Sequence, residues 1–178
     1  MPKLDQTRPF IPVQIAVLTV SDTRGIAEDK SGDILAGMIA HAGHAVADRA
    51  IVKDDVEAIR AKVRAWIADA AIDVVITTGG TGFTGRDVTP EAVRPLFEKE
   101  IEGFSTVFHM ISFDKVGTST IQSRACGGLA QGTYIFCLPG SPGACKDAWN
   151  GILVHQLDNR HRPCNLVEIM PRLEEHRR

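Results

Sequence analysis

The chain has 178 residues, of which 44% are hydrophobic, and its formal net charge is −2 at pH 7. This length suffices for one core, so we expect a single domain over residues 1–178 with its core at about residues 10–165. The small net charge argues against a general nucleic-acid-binding protein. No apolar stretch reaches the roughly 20 residues of a membrane helix, and the first eight residues lack the apolar segment of a secretory signal. Composition therefore indicates a cytoplasmic protein that binds neither nucleic acid nor membrane.

Strands and helices alternate in the first third of the chain. Val13–Val20 and residues 44–52 are rich in the apolar and β-branched residues of buried strands. Between them, Ser31 is a candidate N-cap of a helix that Gly43 would terminate. The run Asp54-Asp55-Val56-Glu57 then predicts the start of a second amphipathic helix, for which Asp54 is a candidate N-cap. The apolar face of that helix contains Ile59, Val63, Trp66 and Ile67.

The third predicted strand, Val74–Thr78, runs into a glycine-rich loop. Thr89-Pro90 predicts that the next helix begins there, with Thr89 as the N-cap and Pro90 at the first helical position. We expect this helix to extend to about Lys99 and another to follow from Glu102 to about Ser112.

The last part of the chain predicts a hairpin and a helix. Ser123–Leu129 and Thr133–Leu138 flank a short turn, and Pro139–Pro142 leads into an amphipathic segment. Together with the earlier alternation of strands and helices, this pattern predicts an α/β fold. We expect a three-layer α/β/α sandwich with a mostly parallel sheet and one antiparallel strand from the hairpin.

In a parallel sheet of this kind, ligands bind outside the carboxyl ends of the strands. Four segments that follow predicted strands lie at that edge: Ser21–Gly25, Lys53–Asp55, Gly79–Asp87 and Pro139–Pro142. All four contain residue types that can bind phosphate or a metal ion. We therefore expect the functional site at this edge of the sheet.

The loop after the third strand is the most informative of the four segments. Gly79, Gly80 and Gly82 lack side chains that would keep a ligand away from the backbone, so the loop's N–H groups can form a concave anion site. Asp87 adds a carboxylate that can hold a magnesium ion beside a phosphate, although it can also be a simple turn former. The order of residues in this loop favours a phosphate-binding function.

Part of this loop matches the dinucleotide-binding pattern G-x-G-x-x-G at Gly80, Gly82 and Gly85. That motif requires the helix to open at its last glycine, so that the helix N-terminus meets the pyrophosphate. Here Thr89-Pro90 predicts a later helix start. The loop is therefore too long for a nicotinamide-binding turn.

Local sequence leaves two interpretations open for several other candidates. Asp54 is either a helix cap or a functional carboxylate, and Asp22 is either a turn residue or a ligand group. Ser123 and Arg124 either contact an anion or cap a helix. The turn Pro139–Ser141 is either an anion site at a helix N-terminus or a tight connection. The histidines show no spaced ligand set and no Ser-His-Asp order, which weakens a hydrolase interpretation.

Four motifs resemble the MoaB/MogA family of molybdenum cofactor biosynthesis proteins. They are Thr-Val-Ser-Asp at 19–22, Thr-Thr-Gly-Gly-Thr-Gly at 77–82, Arg-Asp-Val-Thr-Pro-Glu at 86–91 and Leu-Pro-Gly-Ser at 138–141. Residues 51–54 and 162–165 look most similar to the MoaB branch. The resemblance spans nearly the whole chain, in motif order.

The resemblance implies transfer of AMP from ATP to the terminal phosphate of molybdopterin, with Mg2+ and with release of pyrophosphate. It implies that Asp54 and Asp87 are the catalytic residues and hold the metal. It also implies a homo-trimer or hexamer, with other molybdenum cofactor biosynthesis proteins as possible partners. The alternative within the same pathway is a non-catalytic molybdopterin carrier or scaffold. The molybdopterin-binding residues implied by the resemblance are Ser21, Asp22, Gly79, Gly80, Thr81, Gly82, Ser123, Pro139, Gly140 and Ser141.

Overall fold

The computed structural model describes residues 3–23 and 25–177. Arg24, which belongs to the predicted edge segment Ser21–Gly25, lies outside this part of the chain. The strands are β1 (Lys3–Leu4), β2 (Gln14–Val20), β3 (Ala45–Val52), β4 (Val74–Thr78), β5 (Lys99–Glu100), β6 (Cys126–Ala130), β7 (Thr133–Leu138) and β8 (His161–Arg162).

Six α-helices accompany these strands in the described residues. They are α1 (Lys30–His41), α2 (Val56–Ile67), α3 (Thr89–Val93), α4 (Glu102–Val116), α5 (Pro142–Ala148) and α6 (Val154–Gln156), with a π-helical stretch (Trp149–Leu153) between the last two. Short 3₁₀ helices cover Ile26–Glu28, Arg94–Leu96, Gly117–Gln122, Val167–Arg172 and Glu175–Arg177. Within the part of the chain that the structure describes, none of these helices combines the length and hydrophobicity that crossing a bilayer requires.

The main sheet has six strands in the order β3-β2-β4-β7-β6-β5. β2 pairs in parallel with β3 and β4, and β4 pairs in parallel with β7. β6 is antiparallel to both of its neighbours, β7 and β5. The predicted sheet, mostly parallel with one antiparallel strand from the hairpin, is confirmed.

Apolar side chains cover both faces of the sheet, because alternate residues of a strand point to opposite sides. Ile15 and Val17 of β2 pack in one cluster with residues of α1, α4 and α5, whereas Ala16 and Leu18 pack in another with α2 and α3. The predicted apolar face of α2 is buried in that second cluster. Each buried aliphatic side chain contributes about 1.5–3 kcal/mol of transfer free energy, so the three layers are held together mainly by these two cores.

The start of α1 and the end of α3 differ from the sequence prediction. The N-cap of α1 is Asp29, whose carboxylate accepts the Gly32 N–H at 2.9 Å, and the predicted cap Ser31 lies inside the first turn. α3 ends at Val93 instead of continuing to about Lys99. Pro95 follows two residues later in a 3₁₀ turn, and its ring opposes continued α-helical geometry. The residues that follow this turn include β5, which pairs with β6 at the edge of the sheet.

Candidate functional site

The four predicted edge segments follow β2, β3, β4 and β7, whose carboxyl ends lie side by side in the parallel part of the sheet. The chain leaves β2 for β3 on one side and later returns to β4 on the other side of β2. A crevice opens where the strand order reverses in this way. The loops after β2 and β4 therefore flank the position where a ligand is expected.

The glycine loop lies tightly against its neighbours. A Cβ on Gly79 would be 2.3 Å from the carbonyl oxygen of Val20, and the residue has a φ of +104°. A Cβ on Gly80, at a φ of +64°, would be 2.4 Å from Thr89 Oγ1 and 3.0 Å from Asp54 Oδ1. A side chain at either position would meet these atoms in a strained backbone conformation, so glycine is required for the loop to adopt this shape.

The sequence predicts Thr89 as the N-cap of α3, but Thr89 is the first residue of this helix. Its hydroxyl donates to the carbonyl of Gly79 at 2.8 Å, and its N–H donates to the carbonyl of Gly80 at 2.9 Å. The Gly79 N–H is also occupied, because it donates to the carbonyl of Leu138. Among the described residues, the N–H groups of Gly80 and Thr81 have no backbone or side-chain acceptor. These two successive donors lie in the loop where the sequence predicts an anion site, and anion binding there stays a prediction.

The capping interpretation of Asp54 is wrong. The helix begins one residue later than the D-x-x-E spacing suggested, and the N-cap of α2 is Asp55, which accepts the Ala58 N–H at 2.8 Å. The Asp54 carboxylate is instead directed towards Gly80 of the glycine loop. Burial raises the pKa of Asp54, and the negative charge of Asp22 raises it further. A carboxylate that is disfavoured as an anion in the folded protein is a typical feature of a functional site.

Asp22 forms a two-point ion pair with Arg86 of the glycine loop. Arg86 Nε and Nη2 donate to the two carboxylate oxygens of Asp22, both at 2.8 Å, and the Asp54 N–H donates to Asp22 at 3.2 Å. The hydrogen bond from Arg86 lowers the pKa of Asp22. Ser21, beside it, donates its N–H to Val52 and accepts the Thr23 N–H. These contacts join the loops after β2, β3 and β4.

Asp87 shapes the glycine loop from within. Its Oδ2 accepts the N–H of Thr84 at 2.9 Å and the hydroxyl of Thr84 at 2.6 Å. Burial alone would raise the pKa of Asp87, but the bonds from Thr84 and Gly82 and the charge of Arg124 outweigh it and hold this pKa below its ordinary value. Asp87 is therefore a turn-forming residue, and it also remains an ionised carboxylate beside the anion site.

Arg124, a candidate from the sequence, has a structural role in the site that local sequence did not reveal. Its Nε donates to the carbonyl of Gly82 at 2.9 Å, its Nη2 donates to the carbonyl of Asp87 at 2.8 Å, and its N–H donates to the carbonyl of Thr81. It also forms an ion pair with Glu91. Arg124 does not cap a helix but fixes the glycine loop from a position just before β6, and its predicted contact with an anion stays a prediction.

Ser123 precedes this arginine and lies near the loop for that reason. Its N–H donates to the carbonyl of Thr120 at 3.0 Å, and its carbonyl oxygen is 3.1 Å from His109 Nε2. These backbone bonds place Ser123 between the end of the 3₁₀ helix Gly117–Gln122 and β6. Its predicted contact with molybdopterin stays a prediction.

The turn after β7 closes the other side of the site. The carbonyl of Pro139 accepts the Thr78 hydroxyl at 3.0 Å, and the carbonyl of Gly140 accepts the Ser31 hydroxyl at 2.9 Å. A Cβ on Gly140 would lie 3.2 Å from the Cα of Gly79. Ser141 caps α5 through the Ala144 N–H. The turn is a tight strand-to-helix connection that abuts the glycine loop.

Burial raises the pKa of Asp54, and the negative charges of Asp22 and Asp87 around the loop raise it further. Within the described ranges 3–23 and 25–177, no three His, Cys, Asp or Glu side chains form a group that could hold a metal ion by itself. One or two carboxylates, with substrate phosphates completing the shell, are the usual ligand set of Mg2+. Asp54 and Asp87 fit that set.

The fold and the site together define a class of α/β protein, in which a glycine-rich loop flanked by carboxylates lies at the carboxyl edge of a parallel sheet. A family model described as "Probable molybdopterin binding domain" matches residues 16–159. The chain therefore belongs to this family, and the resemblance to the MoaB/MogA proteins is confirmed.

Curated relatives and solved structures agree. The chain is 55% identical over 156 residues to molybdenum cofactor biosynthesis protein B of Escherichia coli K12, covering 88% of this chain and 92% of that one. It is 44% identical to the Bacillus subtilis protein of the same name, covering 82% and 86%. A crystal structure of a molybdenum cofactor biosynthesis protein B superposes with a TM-score of 0.84 at 41% identity, covering 96% and 100%. The tungsten cofactor synthesizing protein MoaB from Pyrococcus furiosus gives a TM-score of 0.69 at 37% identity, covering 80% and 91%.

Proposed function

We propose that this protein acts in molybdenum cofactor biosynthesis, by transferring AMP from ATP to the terminal phosphate of molybdopterin. An oxygen of that phosphate forms a bond to the α-phosphorus of ATP, the bond from the α-phosphorus to the bridging oxygen breaks, and pyrophosphate leaves with the electron pair. The products are adenylyl-molybdopterin and pyrophosphate. The names of the relatives support the pathway, and the chemistry of the site supports the reaction.

The observation that carries this proposal is the placement of two carboxylates beside two N–H donors that have no acceptor among the described residues. Asp54 approaches Gly80 directly, and Asp87 lies against Gly82. The Gly80 and Thr81 N–H groups can bind a phosphate oxygen. Because the attacking group is the substrate's own phosphate, the reaction needs no protein nucleophile, and positioning with charge neutralisation is enough.

Asp54 and Asp87 would hold Mg2+, which when bound supplies positive charge against the phosphates of ATP. Burial and the nearby Asp22 raise the pKa of Asp54, so its anionic form is disfavoured without a cation. A bound cation would reverse this effect, because an opposite charge favours the ionised carboxylate. Asp22 holds Arg86 in an ion pair, and the positive charge of Arg86 offsets part of the negative charge around Asp54.

We also propose that copies of the chain assemble into a homo-trimer or hexamer in the cytoplasm. The exposed half of α4 carries four apolar side chains, at Val107, Met110, Phe113 and Val116. Met110 is 64% exposed and Phe113 54% exposed. Several large apolar side chains exposed on one helix favour a protein contact. Other molybdenum cofactor biosynthesis proteins are the expected partners outside the assembly.

The test is incubation of the protein with molybdopterin, ATP and Mg2+, followed by mass spectrometry of the pterin. Adenylyl-molybdopterin and pyrophosphate should form in equal amounts, and Asp54→Asn should abolish both. Tight binding of molybdopterin without any AMP transfer would show that the protein is a carrier or scaffold and not an enzyme. The engagement of Asp87 in the loop turn is the observation that favours this second function.

A further inference from the structure

The glycine loop carries a phenylalanine whose ring faces solvent. Phe83 is 70% exposed, the second-highest value among the large hydrophobic side chains described as exposed. Leaving an apolar ring of this size in water forgoes the free energy that its burial would contribute. The fold does not use this ring for packing, although its position in the loop is closely controlled.

One face of the Phe83 ring is supported by a fixed cation. The Cζ atom of Arg124 lies 5.4 Å from the ring centroid, within the range of a cation–π contact. Arg124 is itself immobilised by the carbonyls of Gly82 and Asp87 and by the ion pair with Glu91. The Arg124 guanidinium therefore fixes the position of the ring, while the remaining surface of the ring stays available to a ligand.

The ring also belongs to the segment that contains the candidate phosphate site. Its two chain neighbours, Gly82 and Thr84, both lie against the Asp87 carboxylate. The N–H donors of Gly80 and Thr81 are only two to three residues away in the same loop. A ligand that joins a flat ring to a phosphate by a short linker can therefore reach both the donors and the ring.

We propose that Phe83 is a stacking platform for the flat nitrogen heterocycle of a phosphorylated ligand, and that Arg124 positions it. This inference rests on the proposed function, which supplies two such rings: the pterin of molybdopterin and the adenine of ATP. Both have the same recognition chemistry, a planar ring linked to phosphate. Every aromatic heterocycle has a face that can stack, so the contact contributes affinity without selecting a hydrogen-bond pattern.

The experiment measures binding and does not depend on turnover. Wild-type protein and the variants Phe83→Leu and Phe83→Tyr are titrated calorimetrically with molybdopterin, with Mg2+-ATP and with Mg2+-tripolyphosphate, which has no ring. Phe83→Leu keeps an apolar side chain but removes the aromatic face, and Phe83→Tyr keeps the face. Thermal unfolding shows that each variant is folded.

We expect Phe83→Leu to weaken binding of one ring-bearing ligand about tenfold, within the range for loss of one stacking partner. Tripolyphosphate affinity should stay unchanged, and Phe83→Tyr should bind like the wild type. The ligand that loses affinity identifies the ring, pterin or adenine.

Four results would overturn the inference. Equal affinity of Phe83→Leu and wild type for both ring-bearing ligands would refute the platform while leaving the proposed function intact. An equal loss for tripolyphosphate would show that the substitution only distorts the phosphate site. A change in the mass of the assembly with Phe83→Leu would place the ring in a subunit contact. Failure of the wild type to bind either substrate would refute the proposed function itself, and this inference with it.

Discussion

The two adjacent aspartates at the start of α2 allow stability and catalysis to be separated. Asp55 caps the helix through the Ala58 N–H, whereas Asp54 is directed towards the glycine loop. We predict that Asp55→Ala lowers stability and spares AMP transfer, and that Asp54→Asn does the opposite. The two substitutions lie one residue apart, so each serves as the control for the other.

The size of each effect follows from the contacts. Loss of the cap should lower the free energy of unfolding by about 1 kcal/mol, which for a chain of this length is a fall in Tm of about 2–4 °C. The pKa of Asp54 is raised in the folded protein, so its contribution to stability is present below the unfolded pKa and is lost as the pH rises through the folded pKa. At pH 7 the charged side chain therefore opposes folding, and Asp54→Asn should be at least as stable as the wild type.

The assays are thermal unfolding at pH 7 and mass spectrometric detection of adenylyl-molybdopterin. Asp55→Asn should restore both the cap and the Tm, because asparagine is as good an N-cap as aspartate. If Asp54→Asn is destabilised as much as Asp55→Ala, the assignment of the cap is wrong. If Asp54→Asn transfers AMP at the wild-type rate, Asp54 is not catalytic.

Three further predictions concern the loop and the surface. Arg124→Lys should lower the free energy of unfolding by about 1–3 kcal/mol, because an ammonium group cannot replace the directed guanidinium bonds to Gly82 and Asp87. An unchanged free energy of unfolding in urea denaturation would contradict the role of Arg124 in fixing the loop. Asp87→Asn should abolish AMP transfer and weaken the fall of Tm at acidic pH, since a lowered pKa contributes stability above about pH 4 that is lost as the pH falls through the folded pKa. An unchanged dependence of Tm on pH below about pH 4 would count against this. Met110→Glu with Phe113→Glu should dissociate the assembly into monomers in analytical ultracentrifugation, and a monomeric wild type would refute the assembly.

The parallel strands and the location of the site could be predicted from the sequence because their signals are local. Val74–Thr78 is a run of β-branched residues that ends at a pair of glycines, and β4 has these bounds. The four chemically rich segments follow strand ends, and parallel pairing brings those ends to one edge. The late helix start after the glycine loop, which excluded a nicotinamide-binding turn, also depends only on neighbouring residues.

Tertiary structure decided which side chains perform which task. Asp54 and Asp55 are equivalent in local sequence, and the exact start of α2 follows from how its apolar face packs on the sheet. Because the helix starts at Val56, Asp55 is the cap and Asp54 faces the glycine loop. The bonds from Arg124 to Gly82 and Asp87 join positions 42 and 37 residues apart, and no local pattern encodes such a contact. The sequence by itself determined the parallel strands, the glycine loop and the family motifs, because these depend on neighbouring residues. The roles of Asp54, Thr89 and Arg124 depend on distances that exist only after the layers have packed.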